Sequence, residues 1–273
     1  MKPRHTLWRL PVALALAAAA LGLTACQTSY TRSSVPVATP GATAAASEPD
    51  VQRAAKVRLE LASEYLRAGR SSVALEEINH VLSIAPHMVE AYMLRGMIHA
   101  DQHNFAAAEA DYARVMRERG NDPDALHNYG WILCRQGRYA DAEGYFDRVL
   151  AAPGYTASAR TLMAKGLCQQ SAGKAGAAMA TLQRAYEVDP NNPIVAYNLA
   201  SMLYHAGRVA DAQTYLRRLN ASELANAETL WLGIKVENAL GRRDRVRELG
   251  SVLAHRFPNS REFALYERGA FYE

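Results

Sequence analysis

Small and large apolar residues recur along most of this chain at fixed distances. Ala74, Ala108, Ala142, Ala178 and Ala212 are each followed four residues later by a large side chain, Ile78, Tyr112, Phe146, Leu182 and Leu216. That spacing puts both members on one face of a helix. Twelve residues before each alanine stands another small residue, Ala62, Gly96, Gly130, Gly166 and Ala200. Between the two sets lies a pair of punctuating residues: Gly69-Arg70, Gly137-Arg138, Gly173-Lys174, Gly207-Arg208 and Gly241-Arg242, with His103-Asn104 filling the one missing mark. The intervals between marks are 34, 34, 36, 34 and 34 residues. Glycine ends a helix readily because it adopts the left-handed conformation without a Cβ clash. The pattern therefore predicts six helix–turn–helix units over residues 51–259, with small residues where the paired helices approach closely. Ile234 and Val246 are the looser members in the last unit.

A period of this length marks a stacked array of one supersecondary unit. The third unit, with Leu126, Tyr129-Gly130, Leu133, Ala142, Phe146 and Pro153, resembles the tetratricopeptide repeat, and Pro86, Pro190 and Pro258 close units one, four and six. The resemblance implies an all-α, right-handed superhelical solenoid of six tetratricopeptide repeats. One hairpin cannot bury its apolar side alone, but stacked hairpins share a core, so no cofactor is needed for stability. Residues 260–273 read as a C-terminal capping helix.

The start of the chain is of a different kind. Lys2, Arg4 and Arg9 precede an uncharged apolar run from Leu10 to Leu23, too short to span a bilayer comfortably. Residues 1–25 read as a secretory signal peptide. Leu23-Thr24-Ala25-Cys26 resembles a bacterial lipobox, in which Cys26 would carry the lipid. Gln27 rather than aspartate follows, which in the usual sorting pattern implies an outer-membrane, periplasm-facing, lipid-anchored protein. The rest of residues 26–50, rich in Ser, Thr, Ala and Pro, reads as a flexible tether with a typical reach of roughly 25–30 Å.

Charge then loses most of its weight. The formal net charge is +4, but the first 25 residues hold three basic residues and no acid, which leaves 4 − 3 = +1. Arg242, Arg243, Arg245 and Arg247 alternate with Asp244 and Glu248, as on a solvated helix face, so no nucleic-acid partner is expected. Enzyme signatures are equally lacking: there is no H-E-x-x-H, G-x-S-x-G or phosphate-binding glycine loop, and the eight histidines are scattered. The expectation is a binding protein with no catalytic, metal or cofactor residues and no small-molecule substrate.

Beyond Cys26 the chain has Cys134 and Cys168, on the first helices of repeats three and four. An oxidising compartment permits a bridge. The two-residue insertion near Pro153-Gly154-Tyr155 makes the positions inequivalent, so buried free thiols and a disulfide both remain open from the residues alone.

The first helix of each repeat lines the concave side of such arrays. Its inner positions read Leu59 and Leu66, Met93 and Met97, Trp131, Met163 and Leu167, Tyr197 and Tyr204, and Trp231, an apolar stripe suited to a protein partner, with ordinary core packing as the alternative. Asn128 and Asn198 are candidates for bonding a bound peptide backbone.

The stretch His127-Asn128-Tyr129-Gly130-Trp131-Ile132-Leu133-Cys134, followed by Gly137-Arg138-Tyr139 and Gly166-Leu167-Cys168, makes the resemblance more specific. Together with the lipobox, tether and Tyr197-Asn198-Leu199-Ala200, it is similar to the type IV pilus biogenesis and stability lipoproteins over nearly the whole chain. The resemblance implies a pilotin: an outer-membrane lipoprotein that binds the pilus secretin, helps it reach the outer membrane and form its ring, and supports twitching motility. It also implies a Cys134–Cys168 disulfide. The alternative is a general periplasmic scaffold for cell-wall enzymes or β-barrel assembly.

Overall fold

The computed structural model describes residues 47–272; the expected signal peptide, Cys26 and nearly all of the expected tether lie outside the described residues. Among those described, thirteen helices follow one another with no strand. They pair as α1 (Glu48–Arg67) with α2 (Ser71–Ile84), α3 (Val89–Asp101) with α4 (Phe105–Arg119), and α5 (Pro123–Arg135) with α6 (Tyr139–Leu150). Then come α7 (Ser158–Ser171) with α8 (Ala175–Val188), α9 (Pro193–His205) with α10 (Val209–Asn220), α11 (Ala227–Ala239) with α12 (Arg243–Arg256), and a single α13 (Arg261–Glu267). Each second helix packs on the first helix of the next pair, so the six expected hairpins form one stack closed by α13. The chain is helical from Glu48, slightly inside the segment read as tether. Pro49 in the first turn costs no hydrogen bond there, and Glu48 and Asp50 suit the positive helix end.

All six marks are left-handed turns. Gly69, Gly137, Gly173, Gly207 and Gly241 have φ between 71° and 78°, and His103, at 60°, is the one non-glycine residue among those described with positive φ. Each turn closes the same way. At the third mark Gly137 N–H donates to the Cys134 carbonyl at 3.0 Å and Arg138 N–H to that of Leu133 at 2.9 Å. This double closure satisfies the carbonyls that a helix end would otherwise leave unpaired.

The basic residue after the mark has its own use. Arg138 reaches back to Glu109 at 2.7 Å and Lys174 to Glu143 at 2.6 Å, each spanning to the second helix of the preceding hairpin. These pairs are largely exposed, so they contribute less to stability than to register. Eleven residues beyond the mark an arginine clamps the second helix of the second and third hairpins to the loop before its hairpin: Arg114 bonds the Pro86 carbonyl at 3.2 Å and Arg148 that of Gly120 at 3.2 Å. That clamp was not anticipated from sequence.

The small positions are where paired helices meet. A Cβ on Gly130 would lie 3.0 Å from the Phe146 ring, and one on Gly166 would lie 2.7 Å from Leu182. The last unit inverts the sizes: Ile234 is fully buried, while Gly250 takes the place of the large residue. Gly250 is needed because Tyr266 of α13 fills the space a Cβ would enter, at 2.1 Å. The insertion in the α6–α7 loop turns at Gly154, φ 72°, and delivers the Tyr155 hydroxyl to Thr161 Oγ1 at 2.7 Å.

Candidate functional site

Successive first helices touch directly, α1 with α3, α3 with α5, α5 with α7 and α9 with α11, whereas the second helices do not approach one another as closely. The row of first helices is therefore the inner side of the stack. Along it Leu59, Leu66, Met93, Met97, Trp131, Met163, Leu167, Tyr197 and Tyr204 are all half-buried. Most of them touch the core with one side: Leu59 and Leu66 on the first cluster, Met93 on the second, Trp131 on the third, Met163 on the fourth, and Tyr197 and Tyr204 on the fifth. Met97 and Leu167 belong to none of these clusters. The stripe is thus a row of apolar side chains held from behind and open in front. At its N-terminal end Leu59, Met88 and Ile84 join Glu48, Lys56, His87 and Arg119 around a cleft of about 560 Å³.

Three expected members have neighbours the reading did not foresee. Trp231 is buried, with 6% of its surface exposed, as a member of the last core cluster with Leu230, Ile234 and Leu265, and Phe271 packs on it at 5.9 Å between ring centroids. Asn128 lies near the hydroxyl of Tyr112 in the preceding hairpin, which itself donates to the Met93 carbonyl at 3.3 Å, and Asn198 donates to the Ile194 carbonyl of its own helix at 2.8 Å. The Asn198 amide is thus engaged within its own helix.

His127 occupies the stripe's register position in the third hairpin, where its neighbours carry Met93 and Met163. It is buried, and its Nδ1 lies 2.9 Å from Thr161 Oγ1, which also bonds Tyr155. Burial, with a smaller push from Arg160 and opposed by Asp124, lowers its pKa to about 4, so the ring is neutral near pH 7. Lys235 sits over the rings of Tyr204 and Trp231, at 5.7 and 5.9 Å, and burial lowers its pKa.

Cys134 and Cys168 face each other from α5 and α7 with Cα atoms 5.8 Å apart, inside the range a disulfide spans, and their sulfurs in contact. Both side chains are buried.

A regularity that the sequence reading missed lies four residues before the marks. In the second, fourth and sixth hairpins this position holds His99, Gln169 and Glu237, while the first, third and fifth hold Tyr65, Leu133 and Leu203. Each polar member leaves a buried side-chain atom without a hydrogen bond: His99 Nδ1, Gln169 Oε1 and Glu237 Oε2. Their other contacts are complementary. Gln169 donates to Glu143 at 3.1 Å, and Gln213 donates to Glu237 at 2.8 Å, so acid and amide exchange places between the fourth and sixth hairpins.

Among the described residues no group of three or more His, Cys, Asp or Glu is placed to hold a metal ion, and no helix is long and apolar enough to cross a membrane. What the inner row can do chemically is bind an apolar polypeptide.

Comparison with known proteins follows the same lines. Two models of the family described as "Tetratricopeptide repeat" match residues 59–123 and residues 99–166 and 170–229. The type IV pilus assembly protein PilF of Pseudomonas aeruginosa is 26% identical over 212 residues, which cover 77% of this chain and 83% of that protein. The crystal structure of PilW, a widely conserved type IV pilus biogenesis factor, superposes with a TM-score of 0.65 at 29% identity, over 77% of this chain and 96% of that one. The cellulose synthase operon protein C of Pseudomonas fluorescens is 27% identical over 171 residues, 60% of this chain but only 13% of that protein.

Proposed function

We propose that this chain, a tetratricopeptide-repeat protein homologous to the type IV pilus biogenesis proteins PilF and PilW, is a non-catalytic outer-membrane lipoprotein that binds the pilus secretin through its inner groove. In this reading Cys26 carries the lipid anchor, residues 27–47 are the leash, and Leu59, Leu66, Met93, Met97, Trp131, Met163, Leu167, Tyr197 and Tyr204 meet the partner. The bound secretin is thereby brought to the outer membrane and assembled into its multimer, which supports pilus display and twitching. Cys134 and Cys168 form a disulfide that staples the third and fourth hairpins.

The observation that carries the reading is the inner stripe itself. Nine large apolar side chains on successive first helices keep a minor part of their surface in solvent, and a continuous row of such partly open apolar residues suits a partner that covers it. Half-buried methionines and aromatics suit a partner's apolar segment, since Met adapts its shape and aromatic anchors supply much of the energy at interfaces. The relatedness to pilus biogenesis proteins supports a partner in the cell envelope.

The test is a strain carrying Met97→Asp and Leu167→Asp, the two stripe residues outside the buried clusters, with secretin run on a gel without boiling. Loss of the heat-resistant multimer, with the double variant helical and present at wild-type levels, is the expected result. Normal multimers and normal twitching would remove the groove from the account. Normal multimers together with altered cell shape would favour the general scaffold.

A further inference from the structure

The groove's last position is already occupied, by the protein's own C-terminus. After α13 the chain turns at Gly269, φ 66°, closed by Gly269 N–H to the Tyr266 carbonyl and Ala270 N–H to that of Leu265, each at 3.0 Å. It is the same turn that starts a second helix in every hairpin. Here the turn folds Phe271 onto Trp231, with the rings 5.9 Å apart and inclined by 31°. Tyr266 lies 6.4 Å from the same ring. Of the equivalent residues, Leu59, Met93, Met163 and Tyr197 are half-buried and His127 is buried against Thr161 of the next hairpin, whereas the last slot, Trp231, is buried with a ring from the chain's own tail packed on it. The next residue, Tyr272, is 91% exposed.

The tail thus shows what this end of the groove accepts: an aromatic ring carried on a short irregular segment. Its own hold is local: past the turn it consists of the ring contacts of Phe271 with Trp231 and Tyr266, the packing of Ala270 and Phe271 on the last core cluster, and one backbone bond, Phe271 N–H to the Gly269 carbonyl at 2.9 Å. We propose that residues Gly269–Tyr272 are a displaceable occupant of the groove, and that the partner enters beside Trp231 with an aromatic side chain in place of Phe271. This rests on the reading of the inner groove as the partner's surface. A tail closed for roughly nine-tenths of the time would weaken an entering segment about tenfold.

The experiment uses the mature chain in a Trp131→Phe background, so that Trp231 reports alone, and as probe a capped synthetic peptide with the sequence of residues 267–272. In Phe271→Ala the Trp231 emission should shift to the red, and the peptide should reverse the shift saturably. The wild-type chain should bind the peptide about tenfold more weakly. A second variant ending at Arg268 should behave like Phe271→Ala; if it loses helicity, the point variant decides. Emission unchanged in Phe271→Ala, no saturable response, or equal peptide affinity in wild type and variant would overturn the proposal. The outcomes also separate it from the functional reading. Peptide binding as expected, with normal secretin multimers in Met97→Asp and Leu167→Asp, would sink the groove's role in pilus assembly but not the tail's. Failure of the peptide with loss of multimers would do the reverse.

Discussion

The ring of Tyr112 lies where the side chain of any residue but glycine at position 96 would have to be: a Cβ on Gly96 would stand 2.6 Å from both Cδ2 and Cε2 of that ring. Tyr112 is fully buried and bonds the Met93 carbonyl through its hydroxyl at 3.3 Å, so the ring has little freedom to withdraw. Gly96→Ala should destabilise the array by roughly 1–3 kcal/mol through overpacking, and Gly130→Leu by at least as much. Gly144, inside α6 with open space around it, provides the control: Gly144→Ala should stabilise by about 0.5–1 kcal/mol. Urea melts of the three variants check the signs. An unaltered Gly96→Ala would mean that α3 and α4 are not in this register.

His103 is the position where the array departs from its own rule. A non-glycine residue in the left-handed region carries a steric cost of about 1–2 kcal/mol, and His103 bears it at φ 60°. His103→Gly should therefore raise the melting temperature, with a gain on the order of 1 kcal/mol after the greater flexibility of an unfolded glycine is set against it. A lowered melting temperature would show that the edge contact between His103 and Phe105, at 5.8 Å, outweighs the strain.

The buried His127 predicts a pH dependence with a definite sign. Its pKa falls from the ordinary 6.5 to about 4 on folding, so between these values the unfolded chain takes up a proton that the native state refuses. The stability it contributes is complete above about pH 6.5 and is lost as pH falls toward 4, for a total on the order of 3 kcal/mol. His127→Met, the residue found at this position in the second and fourth hairpins, should flatten that part of the profile. If the variant's stability fell as steeply as wild type between pH 6.5 and 4, another group would be responsible.

For the cysteine pair, mass spectrometry of unreduced protein should find Cys134 joined to Cys168. A bridge closing a 34-residue loop limits the unfolded chain by about 3–4 kcal/mol in the loop-entropy picture, so reduction should lower the denaturation midpoint without removing helix. Two alkylatable thiols in freshly isolated protein would remove the bridge.

Much of the fold was legible because a repeat states its requirements six times. Gly69 alone says little, but five glycines on a ruler also identify His103 as the sixth turn, since the backbone there must be left-handed whatever the residue. Gly130 and Phe146 were legible as a pair for the same reason. What could not be read was set by neighbours outside the period. Trp231 looked open by register and is covered by Phe271, which belongs to no repeat. His127 looked like one scattered histidine, yet Thr161 and the inserted Tyr155 give it partners. Gln169 and Glu237 became comparable only once the marks fixed their shared position. The expected signal peptide and lipobox lie outside the described residues.

The stacking of each hairpin on its immediate neighbours has a further consequence. Side-chain bonds between hairpins join adjacent units, as Arg160 joins Asp124 across 36 residues, so ordering one hairpin requires closing only short loops of chain. Low contact order of this kind favours rapid assembly, and the array can grow by accretion from any hairpin already formed. Disassembly runs the same way from the ends. The first hairpin, with a neighbouring hairpin on one side, should lose its amide protons to solvent early, as should the short α13 at the other end, and the middle of the stack last.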